Sequence, residues 1–346
     1  MLYSLDEICL IPGTYSKIEH RGDVNVLTNK NNYPIFTAPM ASVVDNSNIE
    51  VLKKHKLNVI VPRTVKWEDR LKHITAGNWV AVGFKEAQII LENLKIESGF
   101  VRLCIDQANG HMDALLRLCK QLKNKFGERV IIMTGNVANP YTYKKYAEFG
   151  IDYIRVGIGS GNVCTTSVQC GMHYPIGSLI INMIKEREMV QKAMKVSSNA
   201  YLSVPKIIAD GGFKRVDQCI KALALGADYV MLGEIIAKSE EACGKIVTKK
   251  NKNGHKEREY FGMSTEKAQL LINETSFFKD PKFKPKHSEG LIKTVEVTYK
   301  LADWTADFEH ALRTSMSYHG AHRLDQFIGK VAWDTMTPVT YNAYMK

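Results

Sequence analysis

The sequence predicts a single (β/α)8 barrel, the TIM-barrel architecture of the α/β class. Eight short apolar runs recur along the 346-residue chain, and segments with apolar residues at helical spacing separate them. Buried parallel strands read as nearly continuous apolar runs rather than as alternating ones. Eight strand–helix units are the number that closes such a barrel. A doubly wound open sheet is the alternative architecture for the same pattern.

The predicted elements follow one another in a regular order. Residues 112–126 and 215–226 have helical spacing and end near glycine, which predicts two of the intervening helices. We take residues 1–346 as one domain, with a hairpin and mobile flap at 244–290 within it. The eight predicted strands are YPIFTAPM (33–40), NVIVP (58–62), WVAVGF (79–84), FVRLCID (100–106), RVIIMTGNV (129–137), YIRVGIG (153–159), KIIADGG (206–212) and YVMLG (229–233).

The composition argues against several classes of protein. With 45% hydrophobic and 24% charged residues, the chain has the make-up of a soluble globular protein. No apolar run reaches the ~18 to 20 residues of a membrane span, and the first residues, MLYSLDEICL, lack the pattern of a signal peptide. We therefore expect a cytoplasmic protein without a membrane partner. The seven cysteines form no CxxC pair, which favours free thiols over zinc ligands or disulfides.

The net charge of +11 fits an anionic ligand such as a nucleotide phosphate, and it also fits nucleic acid. The densest basic stretch, TKKNKNGHKERE at 248–259, contains an Asn-Gly pair between two short runs, which predicts a hairpin tip. No aromatic residues that could stack on bases interleave with its lysines. We therefore expect a solvated hairpin tip and do not expect nucleic acid as a partner.

Nearly every predicted strand ends in polar or glycine residues, and in a barrel these ends share the rim where active sites are built. The most unusual ending is GIGSGNVCTTSVQCG at 157–171, which places Cys164 shortly after three glycines. Glycines let backbone groups approach a ligand or ion, and a thiol at this rim is accessible for reaction. Cys164 is therefore the predicted nucleophile. Buried structural thiols are expected at the cysteines within apolar or helical runs, namely Cys9, Cys104, Cys119 and Cys219.

The loop GIGSGNVCTT, followed by GMHYP at 171–175, resembles the catalytic loop of the IMP dehydrogenase and GMP reductase family. Dehydrogenases of this family usually carry an inserted pair of regulatory CBS modules, whereas only a short segment separates VPRT (61–64) from WVAVG (79–83) here. The resemblance is therefore closest to the GMP reductases, which are bare barrels. Other segments that match in order are SLDEICLIP (4–12), DQANGH (106–111), GNV (135–137), ADGG (209–212), VMLG (230–233), FGMS (261–264), SEG (288–290) and SYHGA (317–321).

The resemblance implies NADPH-dependent conversion of GMP, or a related guanine nucleotide, to IMP and ammonia. Cys164 would attack the purine C2 and form a covalent thioimidate, and Thr166 with Glu289 would protonate the leaving amine. NADPH, with NADH as the other possibility, would lie against Asp106, Asn109 and Gly110. The resemblance also implies a homotetramer.

The remaining roles concern the nucleotide and an ion. By resemblance, Asp210 would accept hydrogen bonds from the ribose hydroxyls, while Met263 and Ser264 would meet the purine edge. Asn162 occupies the position of a serine in the family's loop and is included with the substrate-binding residues. The backbone at Gly211, Gly212 and Gly233 would hold the 5′-phosphate. A monovalent cation, K+, would be held by the carbonyls of Gly159, Gly161 and Cys164.

Two alternatives stay open. One is dehydrogenase-like oxidation of IMP to XMP, although residues 273–290 lack the Arg-Tyr pair with which the family's dehydrogenases activate water. The other is a purine nucleotide-binding barrel without catalysis, suggested by Asn162, Ser167 and Glu234. A carboxylate at position 234 would repel a phosphate. We therefore expect Glu234 to pair with a lysine such as Lys238, one helical turn on, or to face solvent; otherwise it marks a changed ligand.

Overall fold

A closed ring of parallel strands forms the centre of the molecule. The computed structural model describes residues 1–96, 98–195 and 203–344. An amino-terminal strand, β1 (Ile8–Leu10), precedes the ring. Over the described residues the ring has eight strands, which are β2 (Ile35–Thr37), β3 (Ile60–Val61), β4 (Trp79–Val82), β5 (Val101–Asp106), β6 (Val130–Val137), β7 (Tyr153–Val156), β8 (Lys206–Asp210) and β9 (Tyr229–Leu232).

Backbone hydrogen bonds close the ring. Each strand from β3 to β8 pairs in parallel with the next, and β9 pairs with β2. The gap between β2 and β3 is bridged because Thr37 N–H donates to the Asn58 carbonyl and Asn58 N–H donates to the Ile35 carbonyl, both at 3.0 Å. The predicted barrel and its eight strand positions are confirmed, and an open doubly wound sheet is excluded.

Helices follow the strands around the outside of the ring. Those described are α1 (Ile49–Lys54), α2 (Trp67–Thr75), α3 (Phe84–Asn93), α4 (Asp113–Phe126), α5 (Thr142–Glu148), α6 (Thr166–Cys170), α7 (Ile176–Met194), α8 (Val216–Leu225) and α9 (Glu234–Ala237). The helices α4 and α8 coincide with the two predicted from apolar spacing. In α4 the residues at that spacing are buried, and the helix ends at Gly127, whose φ of 57° lies in the region that favours glycine.

After the barrel strands, the chain forms a small antiparallel sheet and returns to the outer surface. Its remaining elements are β10 (Ile246–Thr248), β11 (Lys256–Phe261), α10 (Glu266–Thr275), β12 (Ile292–Val297), α11 (Leu301–His319), β13 (Trp333–Thr335) and α12 (Pro338–Tyr344). The predicted hairpin is present as β10 and β11, with Gly254 at φ 82° in its exposed tip. The third strand of this sheet, β12, was not predicted; it pairs with β11 over six residues.

Large side chains fill the half of the barrel interior that lies near the amino ends of the strands. Alternate residues of a strand face the same side, and the inward-facing set forms a buried cluster that includes Phe36, Trp79, Tyr153 and Tyr229. The rings of Phe36 and Trp79 meet edge to face at 5.7 Å between centroids. Because these side chains fill the interior near the amino ends, a ligand cavity inside the barrel must lie toward the carboxyl ends of the strands.

The cysteines fall into two groups, as the sequence predicts, with one exception. Cys104, Cys119 and Cys219 are buried, and burial raises the pKa of the first two thiols to about 12. Cys9 is only half-buried, so the expectation of full burial was wrong there. The reason is that β1 pairs with β13 outside the barrel rather than within its core.

Two further observations concern the described residues. No helix among the described residues combines the length and the apolar character needed to cross a membrane. In the same part of the chain, no group of three or more histidine, cysteine, aspartate or glutamate side chains is arranged to hold a metal ion.

Candidate active site

A cavity of about 940 Å³ opens at the carboxyl ends of the barrel strands. Gly110 does not line it: the Gly110 N–H donates to the Asn136 carbonyl at 2.9 Å, and an added Cβ would lie 2.6 Å from that oxygen. Gly110 therefore allows close packing of the backbone behind the cavity wall, and the expectation that it contacts the cofactor was wrong. The other predicted site residues all line the cavity, and they are Asp106, Asn109, Gly159, Gly161, Asn162, Cys164, Thr166, Asp210, Gly211, Gly212, Gly233, Met263, Ser264 and Glu289.

The glycine-rich loop after β7 brings Cys164 to this rim. Gly157 has φ 135°, and a Cβ there would lie 2.1 Å from the Asp210 carbonyl oxygen, so the loop and β8 approach each other only because Gly157 lacks a side chain. The Cys164 N–H donates to the Gly161 carbonyl at 3.0 Å and closes a tight turn. This turn leaves the thiol half-exposed beside the cavity.

A short antiparallel contact joins this loop to residues 289–291. Cys164 and Gly290 form an isolated bridge, and the Leu291 N–H donates to the Val163 carbonyl at 2.9 Å. On the other side, the Thr165 N–H donates to the Glu289 carbonyl at 3.0 Å. These backbone contacts hold Glu289 next to the cysteine, although 125 positions separate the two in sequence (289 minus 164).

The side chains of Cys164, Thr166 and Glu289 form a continuous hydrogen-bonded chain. The Cys164 thiol donates to Thr166 Oγ1 at 3.2 Å, and the Thr166 hydroxyl donates to Glu289 Oε2, also at 3.2 Å. Such a chain can carry a proton from the sulfur to the carboxylate and back again. The three residues that the resemblance implies as catalytic are therefore brought together in this structure.

A buried arginine forms the floor of the cavity. Arg155, which is 7% exposed, donates to Asp106 Oδ1 at 2.5 Å and to Asp210 Oδ2 at 2.8 Å. Asn136 Nδ2 also donates to Asp210 Oδ2, at 2.7 Å. Burial disfavours a charged guanidinium, but the two carboxylates outweigh burial and raise the pKa of Arg155. The Asp210 side chain is therefore fixed through Oδ2, and none of these hydrogen bonds uses Oδ1.

Sequence reasoning missed Arg155 and Asn136. The signal for Arg155 was present, since it interrupts the apolar run YIRV of a central strand, where an unpaired charge is costly. Such a charge indicates nearby carboxylates. Asn136 had no comparable signal, because an asparagine near the end of a strand is equally typical of the start of a turn.

Glu234 lies in the cavity wall at the first residue of α9, and it is 7% exposed. Its Oε1 is 3.0 Å from Lys238 Nζ and its Oε2 is 2.7 Å from Lys293 Nζ. Burial alone would raise the pKa of Glu234, but hydrogen bonds from the two ammonium groups outweigh it and lower that pKa. The predicted pairing with Lys238 is confirmed and a solvent-facing carboxylate is excluded. Lys293 was missed because it belongs to β12.

Arg63 and His111 also line the cavity. The Arg63 Nε is buried and has no hydrogen-bond partner among the described residues. His111 accepts the Ala138 N–H at Nε2, at 3.1 Å, and its Nδ1 lies 2.9 Å from Thr142 Oγ1. Because Nε2 accepts, Nδ1 must carry the proton, and the ring is neutral. Burial lowers the pKa of His111 and so favours this neutral form.

The loop carbonyls that could surround a cation are already partly engaged. The Gly161 carbonyl accepts the Cys164 N–H, so it keeps one lone pair for another partner. Gly159, with φ 77°, lies against the turn that follows α6: a Cβ at that position would be 3.0 Å from the Met172 carbonyl oxygen. Of the carbonyl groups considered for the cation, that of Gly161 therefore lies next to Cys164.

Comparison with known proteins gives consistent matches. The sequence model of the IMP dehydrogenase / GMP reductase domain matches residues 47–342. The inosine-5′-monophosphate dehydrogenase of Chlorobaculum parvum is 32% identical over 257 residues, which cover 71% of this chain and 47% of that protein. The enzyme of the same name from Staphylococcus aureus is 28% identical over 339 residues, covering 91% of this chain and 64% of that protein. The chain thus spans about half to two thirds of the length of these relatives.

Proposed function

The chain belongs to the IMP dehydrogenase / GMP reductase family, and we propose on that basis that it is a GMP reductase-like oxidoreductase. It would convert GMP, or a related guanine nucleotide, to IMP and ammonia with NADPH as reductant. The observation that carries this proposal is the hydrogen-bonded chain from Cys164 through Thr166 to Glu289. Removal of an amine requires a proton donor at the leaving nitrogen, and these three hydrogen-bonded side chains provide one.

The first half of the reaction uses the chain's own residues. The Cys164 sulfur forms a bond to the purine C2, and its proton passes through Thr166 to Glu289. Glu289 then returns the proton through Thr166, which passes it to the exocyclic nitrogen instead of the sulfur. The bond from C2 to that nitrogen breaks, ammonia leaves, and a thioimidate remains on Cys164.

The second half needs a hydride, which a reduced nicotinamide supplies when it is bound. Cleavage of the bond between sulfur and C2 then restores the thiolate and releases IMP. The balanced reaction consumes one GMP, one NADPH and two protons and yields IMP, NADP+ and ammonium. The cavity volume of about 940 Å³, at the upper end of the range for small-molecule pockets, supports a site for a cofactor beside the nucleotide. Asp106, Asn109, His111 and the unpartnered Nε of Arg63 would hold the cofactor.

The nucleotide would lie between the floor and the wall that carries Glu234. Asp210 Oδ1 would accept hydrogen bonds from the ribose hydroxyls, because Asn136 and Arg155 already engage Oδ2. The backbone N–H groups near Gly211, Gly212 and Gly233 would hold the 5′-phosphate. Asn162 donates weakly to the Phe213 carbonyl, at 3.4 Å, and would turn to a ligand oxygen. Met263 and Ser264 would meet the purine edge. The carbonyls of Gly159, Gly161 and Cys164 would hold K+.

IMP dehydrogenase-like activity is the second candidate, and the printed names of the relatives favour it. Against it, residues 273–290 contain no arginine that could activate the water needed to hydrolyse the thioimidate. Parallel assays with GMP plus NADPH and with IMP plus NAD separate the two enzymes. Binding of GMP or IMP without turnover in either assay would support the barrel without catalysis.

Cys164→Ala tests the covalent step. We expect it to abolish the consumption of NADPH in the presence of GMP while GMP still binds, because the phosphate and ribose contacts do not involve the thiol. Cys9→Ala, at a half-buried cysteine of β1 outside the barrel, is the matched control and should stay active. Intact-protein mass spectrometry should detect a nucleotide adduct on Cys164 in the active forms. Turnover by Cys164→Ala would refute the thioimidate.

Glu289→Gln tests the direction of the reaction. The change keeps the shape of the side chain but removes its proton transfer, so deamination should fall by about 100-fold or more, the usual range for general acid–base groups. The affinity for GMP should change by less than about threefold, since no charged ligand contact is lost. Glu274→Gln on the exposed face of α10 is the control. An unaltered rate would mean that another group protonates the amine.

A further inference from the structure

The Glu234 carboxylate is an unusual group to find beside a phosphate site. We propose that Glu234, Lys238 and Lys293 form a charged cluster by which this cavity selects purine ligands that carry a 5′-phosphate. The inference rests on the proposed function, because it assumes that the same cavity holds a guanine nucleotide. It adds a specificity element formed by residues that are distant in sequence.

The position of the cluster relates it to the phosphate site. Glu234 directly follows Gly233, and a Cβ at Gly233 would lie 2.7 Å from the Tyr260 hydroxyl. Glu234 and Tyr260 both line the cavity, whereas the two lysines are not among the described residues that line it. Lys293 Nζ is 5.8 Å from the centroid of the Tyr260 ring. The ammonium groups thus lie behind the wall that Glu234 and Tyr260 form.

The charge of the cluster favours an anion in front of that wall. Two ammonium groups face one carboxylate, so these three side chains carry one net positive charge. Glu234 alone would repel a phosphate dianion, since the carboxylate is buried and poorly screened. With both lysines in place, the repulsion is more than offset. A lysine to methionine change at either position would bring the cluster to zero net charge.

A nucleoside ligand is the competing interpretation. In that case, a carboxylate oxygen of Glu234 would accept a hydrogen bond from a free 5′-hydroxyl. The contacts favour the phosphate, because each carboxylate oxygen already accepts a hydrogen bond or ion pair from an ammonium group. A hydroxyl would have to compete with a lysine at 3.0 Å or less. The two lysines therefore neutralise the Glu234 carboxylate, and they compete with any ligand hydroxyl for its oxygens.

Binding of GMP and guanosine to a charge series of variants tests the proposal. Calorimetric titration needs no turnover, so it is independent of the catalytic step. Wild type and the double variant K293M/E234Q carry one net positive charge, K293M and K238M carry none, and E234Q carries two. K252M, at an exposed lysine of the hairpin tip, is the matched control. The double variant also avoids an unpaired buried carboxylate, so it covers the case in which K293M folds poorly.

We expect the affinity for GMP to follow this charge, while the affinity for guanosine stays constant. K293M and K238M should each weaken GMP binding by about tenfold, the size expected when one partner of a close charge contact is lost. K293M/E234Q should recover the wild-type affinity, and E234Q should bind GMP as tightly as wild type or a few-fold more tightly. K252M should match wild type for both ligands.

The possible failures can be told apart. If the preference for GMP over guanosine is the same in all variants while GMP is still reduced, the cluster is not a selector and the proposed function stands. If guanosine binds as tightly as GMP and E234Q weakens it, the wall recognises a 5′-hydroxyl instead. Charge-dependent binding of GMP and IMP without reduction of GMP would support the cluster and refute the proposed function. Failure to bind any purine monophosphate would refute both.

Discussion

At the scale of single residues, surroundings rather than residue type distinguish the cysteines. Burial is the main cause that raises the thiol pKa of Cys104 and Cys119 to about 12, which leaves them unreactive at neutral pH. Cys164 is half-exposed and donates to a threonine that in turn contacts a carboxylate. This difference could be predicted from the sequence, because the glycines before Cys164 exclude it from any helix or strand interior. The floor contacts of Arg155 could not, since they depend on which side chains the closed barrel brings together.

His111 gives the cavity a dependence on pH. Its Nε2 accepts a backbone N–H, and burial lowers its pKa below the ordinary value of 6.5. The unfolded chain therefore takes up a proton at a higher pH than the folded protein does. By linkage, the free energy of unfolding falls as the pH drops below about 6.5, and this residue has no such effect above that pH.

We accordingly expect the thermal midpoint to fall less steeply between pH 7 and pH 5.5 in His111→Gln than in wild type. Glutamine can still accept the Ala138 N–H but does not titrate. Some slope should remain, because burial also lowers the pKa of His73. His255→Gln, at the exposed hairpin tip, should behave as wild type. Equal slopes for wild type and His111→Gln would contradict this account.

At the scale of elements, the end of α10 is fastened to the outside of the barrel. Thr275 Oγ1 donates to the Arg63 carbonyl at 2.9 Å, and Ser276 Oγ donates to Glu86 Oε1 at 3.0 Å. Glu86 in turn forms a buried ion pair with Arg70, at 2.7 and 2.9 Å. The segment from 277 to 288 therefore begins at a fixed point on α2 and α3. The sequence predicts a flap here but not this attachment, because its partners lie about 190 residues apart.

Ser276→Ala should loosen this attachment without unfolding the barrel. The change removes one hydrogen bond to a charged carboxylate, worth about 1.5 to 3 kcal/mol when it is fully formed. Cleavage by trypsin after Lys279, Lys282 and Lys286 should become about tenfold faster, because local opening of this segment costs less free energy. The thermal midpoint should shift by only a few degrees. Ser47→Ala, at an exposed serine of the loop before α1, is the control, and an unchanged cleavage rate would show that Ser276 does not anchor the flap.

Strand β12 illustrates the limit of local patterns at this scale. Its sequence, IKTVEV, mixes charged and apolar residues and has no long apolar run. It becomes a strand because β11 provides a pairing partner along its whole length. Lys293 reaches Glu234 only through this pairing, so the sequence indicates the carboxylate and its near neighbour Lys238 but not the second lysine.

At the scale of the whole molecule, the fold was the most predictable property. The eight apolar runs can be found from local sequence alone. Eight parallel strands joined by helices can form only a few sheet arrangements, of which the closed barrel is one. The same closure carries the loop ends to one rim, which is why nearly all the predicted site residues line one cavity. What the sequence could not provide were the contacts between these loops, since each depends on distances that only the closed barrel fixes.

The floor and the wall of the cavity differ in sign, and this polarity has a consequence for ligand orientation. On the floor, two carboxylates share one guanidinium, so Asp106, Asp210 and Arg155 carry one net negative charge. In the wall, the two lysines leave the Glu234 cluster with one net positive charge. A nucleotide is itself polar along its length, with its anionic group at one end. We expect the overall charge of +11 to attract an anionic ligand, and we expect the charge difference inside the cavity to orient that ligand with its anionic group toward the lysine side.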